Sequence, residues 1–218
     1  MPRESQQAKR ERTAAIIDGL KTTYPDAHCE LNYQNPLQLV IATIMSAQCT
    51  DKQVNIVTAE LFKKYRSAKA FAAADVEELM NDIRRIGFFR NKAKNIKACC
   101  NRIVNVHGGK VPQTMDELTA LGGVGRKTAN VVLGNAFDIN VGVVVDTHVG
   151  RLANRMGLTR EKTPEKIERE LMKLVPQPDW TMFSHWLIWH GRRRCSARKP
   201  ECETCELAEL CPQVGIKE

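Results

Sequence analysis

Residues 115–137 read MDELTALGGVGRKTANVVLGNAF. An amphipathic turn ends at Leu121, the chain passes through Gly122, Gly123, Val124 and Gly125, and a second helix starts near Arg126. Glycines let a chain reverse within a few residues and bring bare backbone N–H groups toward a ligand. The first N–H groups of the second helix have no intrahelical partner, and its dipole adds partial positive charge there. Helix, glycine turn and helix therefore predict a hairpin that can hold a phosphate. The same residues also fit a plain tight interhelical turn. A dinucleotide fold is disfavoured, because no strand leads into the Gly-x-Gly.

Working outward, the hydrophobic period stays helical. Val54, Val57 and Leu61 form one stripe. Val76, Leu79, Met80 and Ile83 form another, with Asp75 placed to cap. Ile96, Cys99, Cys100, Ile103 and Val104 form a third, on which the two cysteines read as core. Thr163-Pro164 is a helix start, followed by Ile167, Leu171 and Leu174, and the last stripe is Phe183, Trp186, Leu187 and His190. The only strand-like segment is Val141–Val145, and one β-branched run without a partner makes no sheet. The chain is predicted all-α, with about ten helices and a boundary near Ile139–Gly142.

Among the 218 residues, 43% are hydrophobic, enough for a real core and against disorder of the whole chain. No apolar run approaches a bilayer span. The first residues, MPRESQQAKRERTAA, are charged and lack an apolar stretch, so no secretory signal is expected. Lys and Arg number 33 against 25 Asp and Glu, a net +8. From Arg84 to Lys110 there are eight Lys/Arg and no acid, and from Gly191 to Pro200 five and none. Such stretches suit a polyanion, most simply nucleic acid; they also suit a solvated face balanced by acids elsewhere in space.

Cys195, Cys202, Cys205 and Cys211 stand as C-x6-C-x2-C-x5-C, half of the eight cysteines. Without a secretory signal, clustered cysteines point to metal rather than disulfides. Zinc sites usually pair two close knuckles across a longer gap. One close pair with two flanking singles suits a cubane, which takes one thiolate per iron, although a structural zinc also fits four thiolates. Arg198 and Lys199 lie inside this loop, where a metal-held backbone would present them to phosphates. Lys127 lies in the first turn of the second hairpin helix, where the dipole disfavours an ammonium. It reads either as a solvated surface lysine or as an amine whose pKa is lowered by the dipole and partial desolvation, ready for imine chemistry. Asp146 follows the apolar run and precedes Thr147 and His148. It reads as an N-cap, or as a carboxylate delivered to a cleft.

LxGVGRKTANVVL, then VDTH, then the four-cysteine spacing resemble the endonuclease III family over about residues 30 to 211. These are helix-hairpin-helix DNA glycosylases with AP-lyase activity and a [4Fe-4S] cluster. The resemblance implies two all-α domains with a DNA cleft between them. One is a six-helix barrel with the hairpin, residues 30–139; the other is an iron-sulfur domain of residues 1–29 and 140–218. It implies Lys127 as nucleophile, Asp146 as catalytic aspartate, and Cys195, Cys202, Cys205 and Cys211 as cluster ligands. It places Gln48 in the hole left by a flipped nucleotide and Phe88 or Phe89 as a strand wedge, with Gly123, Gly125 and Arg126 of the hairpin on the backbone. The implied activity is excision of oxidised pyrimidines by base flipping, Schiff-base formation and β-elimination. The implied partner is duplex DNA with damaged bases or abasic sites, bound by a cytoplasmic, nucleoid-associated monomer with no membrane partner. Three features depart from the family pattern. Gly122 replaces the usual proline, so a looser hairpin is expected; the wedge is unusually aromatic; and Cys49 follows Gln48 in place of a small residue. An adenine-excising relative shares the cluster and aspartate but lacks the lysine and has a further C-terminal domain. The thymine-mismatch relatives also lack the lysine.

Overall fold

Side chains that compete with the backbone for hydrogen bonds set most of the helix starts. The Ser5, Asn35, Thr50, Ser67, Asp75, Thr114 and Asp146 side chains each accept a backbone N–H two or three residues on. The computed structural model describes residues 4–216. Within them the helices are α1 (Gln6–Thr23), α2 (Pro36–Ser46), α3 (Asp51–Lys64), α4 (Ala68–Ala73), α5 (Val76–Asp82) and α6 (Phe89–His107). Then follow α7 (Met115–Thr119), α8 (Arg126–Phe137), α9 (Thr147–Arg155), α10 (Pro164–Leu171) and α11 (Trp180–Arg193). Short 3-10 turns occur at Gln177–Asp179, Cys202–Thr204 and Ala208–Leu210. The fold is all-helical, with no strand among the described residues. The Val141–Val145 run is an extended connection buried from Gly142 to Val145. The Val144 N–H donates to Ser184 Oγ at 3.0 Å, so a side chain does what a neighbouring strand would do.

The chain divides into two units. One runs from Cys29 to Ile139; the other joins the residues up to His28 with those from Asn140 onward. In the first, α2 is the central element, packed against α3, α6 and α8. Every side chain from Leu39 to Met45 is buried, as expected of a helix that is apolar all round. Cys99 and Cys100 are fully buried on α6. In the second unit α1 packs on α11, and α11 on α9. Ile16, Leu20, Val149, Leu152, Phe183 and Leu187 form the heart of that core.

Candidate active site

The hairpin is built from α7 and α8, which pack on each other. Its turn depends on glycine at two places. Gly123 has φ +74, the left-handed region, and a Cβ there would lie 2.8 Å from the Asn95 Cβ. A Cβ on Gly122 would come within 2.9 Å of both the Ala98 Cβ and the Asn95 carbonyl oxygen on α6. The looser hairpin expected from glycine at this position is therefore not what forms: the space freed by the missing side chain is filled by α6. Gly125 is the N-cap of α8, and no side chain caps that end. A Cβ on Gly125 would meet nothing within 4 Å, so the backbone at the head of α8 faces open space. Arg126 and Lys127 follow, both exposed.

In the other unit Asp146 is half-buried and caps α9, accepting the Val149 N–H at Oδ1, 2.8 Å away. One carboxylate oxygen is thus tied to the helix. His148, next but one in the chain, was not singled out as a site residue by sequence. Burial holds its pKa below the ordinary value against the pull of Asp146, and Arg151 adds to the lowering. Arg151 Nη2 lies 3.2 Å from His148 Nδ1.

Two turns of the hairpin-bearing unit carry Gln48, Phe88 and Phe89. Gln48 follows α2, is exposed, and has φ 54. Phe88 precedes α6 with φ 58 and is 64% exposed. Phe89 is half-buried and stacks under the Arg90 guanidinium, 4.8 Å from the ring centroid. The turns adjoin: a Cβ on Gly87 would lie 3.7 Å from the Gln48 carbonyl oxygen. The structure thus separates the two phenylalanines, with Phe88 alone projecting.

Cys195, Cys202, Cys205 and Cys211 line one pocket beyond the end of α11, and none is in a disulfide. Among the described residues no three His, Cys, Asp or Glu side chains close on a single ion. Burial pushes the Cys205 and Cys211 thiols up, and neighbouring sulfurs push them further. Such sulfurs become thiolates when metal carries their charge, so the donor set fits an iron-sulfur cluster. The surrounding loop is fixed by arginines of α9. Arg155 donates to Cys195 Sγ at 3.1 Å and to the Ser196 and Ala197 carbonyls at 2.7 and 2.8 Å. Arg151 donates to the Gly191 and Cys195 carbonyls at 3.0 and 2.9 Å.

The basic stretches are less uniform in space than in sequence. Arg198 and Lys199 are exposed on the fixed loop. Arg194, in the same stretch, pairs with Glu201 at 2.8 Å and Glu206 at 3.0 Å, and Arg193 stacks on Trp189, 3.9 Å from the ring centroid. In the longer stretch Lys92 is buried, and Lys97 donates to the Ala72 and Ala74 carbonyls at the end of α4. These cations serve the protein's own structure, so only part of each basic stretch is free to meet a polyanion.

A glycine-turned hairpin in one unit and a four-cysteine loop in the other define a helix-hairpin-helix protein with a metal-binding loop. Residues 41–177 match the model for HhH-GPD superfamily base excision DNA repair proteins, and residues 195–211 that for the iron-sulfur binding domain of endonuclease III. The endonuclease III of Synechocystis sp. is 56% identical, over 94% of each chain. That of Escherichia coli K12 is 41% identical over 90% of this chain and 92% of its own. A solved non-covalent endonuclease III–DNA complex is similar with a TM-score of 0.89 and 44% identity, covering 94% of this chain and 95% of that one. A trapped endonuclease III–DNA covalent intermediate is similar with the same TM-score and identity, covering 94% and 96%. The chain belongs to the endonuclease III family. It is a DNA glycosylase and AP lyase of base excision repair, and it carries a [4Fe-4S] cluster.

Proposed function

We propose that the lesions are oxidised pyrimidines in duplex DNA and that Lys127 and Asp146 perform the chemistry. The observation that carries this reading is the exposed Lys127 amine in the first turn of α8, at a helix head that no side chain caps. DNA phosphates bind the bare N–H groups of that head, and the closing ligand removes water from the amine. The damaged nucleotide leaves the stack so that its C1′ can be reached. The unprotonated Lys127 Nζ forms a bond to C1′ as the C1′–base bond breaks, and the base departs with the electron pair and takes up a proton. The sugar ring opens, leaving an imine between Nζ and C1′. Loss of a proton from C2′ then expels the 3′ phosphate, which cuts the strand, and water hydrolyses the imine to release the enzyme. Asp146, with one oxygen committed to the Val149 N–H, stays ionised and supports the positive charge that develops on the sugar.

Cys195, Cys202, Cys205 and Cys211 would hold the cluster, each sulfur on one iron, which supplies electron-transfer capacity and a covalent brace for the loop. Arg198 and Lys199 on that loop, and Gly123, Gly125 and Arg126 at the hairpin, bind phosphates. Phe88 enters the stack, and Gln48 occupies the vacated space. The enzyme works as a cytoplasmic monomer at the nucleoid; no helix among the described residues is long and apolar enough to cross a membrane. A duplex with one thymine glycol tests the substrate class. The strand should be cut without heat or added base, leaving an unsaturated aldehyde at the 3′ end. An intact abasic strand would instead mark a monofunctional enzyme, and no excision of thymine glycol beside rapid excision of a mismatched thymine would overturn the lesion class.

A further inference from the structure

Lys92 is a buried cation that the chemistry above leaves unused. It is 5% exposed, and its Nζ donates to the Met45 carbonyl at 2.8 Å and the Ala47 carbonyl at 2.5 Å. Removing an ammonium from water is costly, and burial pulls its pKa down. Its partners are carbonyls at the C-terminal end of α2, where helix geometry leaves acceptors unpaired and the dipole is negative. Capping alone does not demand such burial: Lys97 performs the same service for α4 while half-buried.

What distinguishes Lys92 is what lies at its two ends. Ala47 is followed directly by Gln48, held at φ 54. Lys92 itself stands in the first turn of α6, its amide making the ordinary helical bond to the Phe88 carbonyl at 3.1 Å, so its side chain reaches the end of α2 from the turn that holds Phe88 at φ 58. Left-handed backbone at a glutamine and a phenylalanine is strained, and persists only where the surroundings over-determine it. We infer that Lys92 is a positioning residue that ties the Gln48 turn to the Phe88 turn, so that the side chain entering the stack and the one filling the gap are presented to duplex DNA as a single rigid unit. The inference rests on the roles proposed above for those two turns. Opening a duplex at one nucleotide needs both groups at once, and functional groups tolerate only small errors of placement.

Lys92→Met keeps an apolar stem of similar length and removes the ammonium. The holoenzyme is tested on two substrates in single turnover: a thymine-glycol duplex, and an abasic site in a single-stranded oligonucleotide, where there is no stack to enter and no gap to fill. Excision from the duplex should fall about 10- to 100-fold, as expected for loss of precise placement, while cleavage of the single strand stays within about threefold. Adding Gln48→Ala to Lys92→Met should cost less than Gln48→Ala costs the parent, because the pair acts as one unit. Equal loss on both substrates, full duplex activity, or strictly additive effects would overturn the clamp. If Gln48→Ala and Phe88→Ala themselves excise from duplex at the parent's rate, the roles of the two turns fall and the clamp with them. If only the Lys92 comparison fails, those roles stand. Should Lys92→Met not accumulate as folded protein, Lys92→Arg retains the cation but misplaces its donors, and should show the same split between substrates at smaller size.

Discussion

Phe88 and Phe89 are adjacent in sequence and opposite in circumstance, and that difference has measurable consequences. An exposed ring at the head of α6 contributes little burial. Phe88→Ala should therefore leave stability within about 1 kcal/mol of the parent, against about 3–5 for truncating a core phenylalanine. Its excision of thymine glycol from duplex should drop far more than its binding to abasic DNA, where less unstacking is needed. A large fall in urea midpoint with normal excision by the folded fraction would make Phe88 a core residue instead. Asp146 separates its two readings in the same way. Asp146→Asn retains an oxygen for the Val149 N–H, so thermal stability should hold, while excision falls roughly 10²–10⁴-fold with the lost charge. Full activity with reduced stability would leave only the cap. Sequence pointed to Lys127 and Asp146 because each sits beside an unmistakable local signal, a glycine turn and an apolar run. It did not separate the two phenylalanines or expose Lys92. Exposure and the carbonyls that Lys92 meets are set by packing between helices far apart in the chain, and inside a run of eight cations one buried lysine looks like its neighbours.

At the scale of the elements, the hairpin shows how a local substitution is absorbed by a neighbour. Glycine at 122 lets α6 approach until a Cβ would sit 2.9 Å from Ala98 Cβ and Asn95 O. Gly122→Ala should lower stability by about 1–3 kcal/mol through overpacking, read from the urea midpoint of the holoenzyme. An unchanged midpoint would mean that the hairpin and α6 can part without cost. Helices with one apolar stripe were legible from their period, and Asp75 and Thr163-Pro164 marked starts that the structure keeps. The α2 helix was not legible in this way, because a helix buried on every side has no stripe. The Val141–Val145 run reads as a strand by composition alone. Its true state depends on Ser184, forty residues on, offering an oxygen to the Val144 N–H.

Over the whole molecule, buried ionisable groups link stability to pH. Burial pulls His185 down to about 4, with His28 adding to the effect. The unfolded chain takes up this proton near pH 6.5 and the folded chain does not, so stability is fully present above that pH and falls as pH drops toward 4. The contribution at neutral pH is of order 3 kcal/mol, most of it lost by pH 4.5. His185→Gln should flatten the pH dependence of the urea midpoint between pH 7 and 5; an equally steep slope would place the titrating group elsewhere. Composition and cysteine spacing made the class of molecule legible, since charge, helical period and four thiols are all written locally. The division at Ile139/Asn140, which returns the N-terminal helix to the C-terminal unit, depends on contacts between distant segments. The central claim, that Lys127 attacks the sugar, is tested most directly by borohydride trapping of the holoenzyme on thymine-glycol duplex, followed by peptide mapping of the reduced adduct. The adduct should map to Lys127, and Lys127→Gln should bind the duplex yet neither trap nor cut it. Trapping by Lys127→Gln at the parent's rate, or an adduct on another amine, would contradict the account.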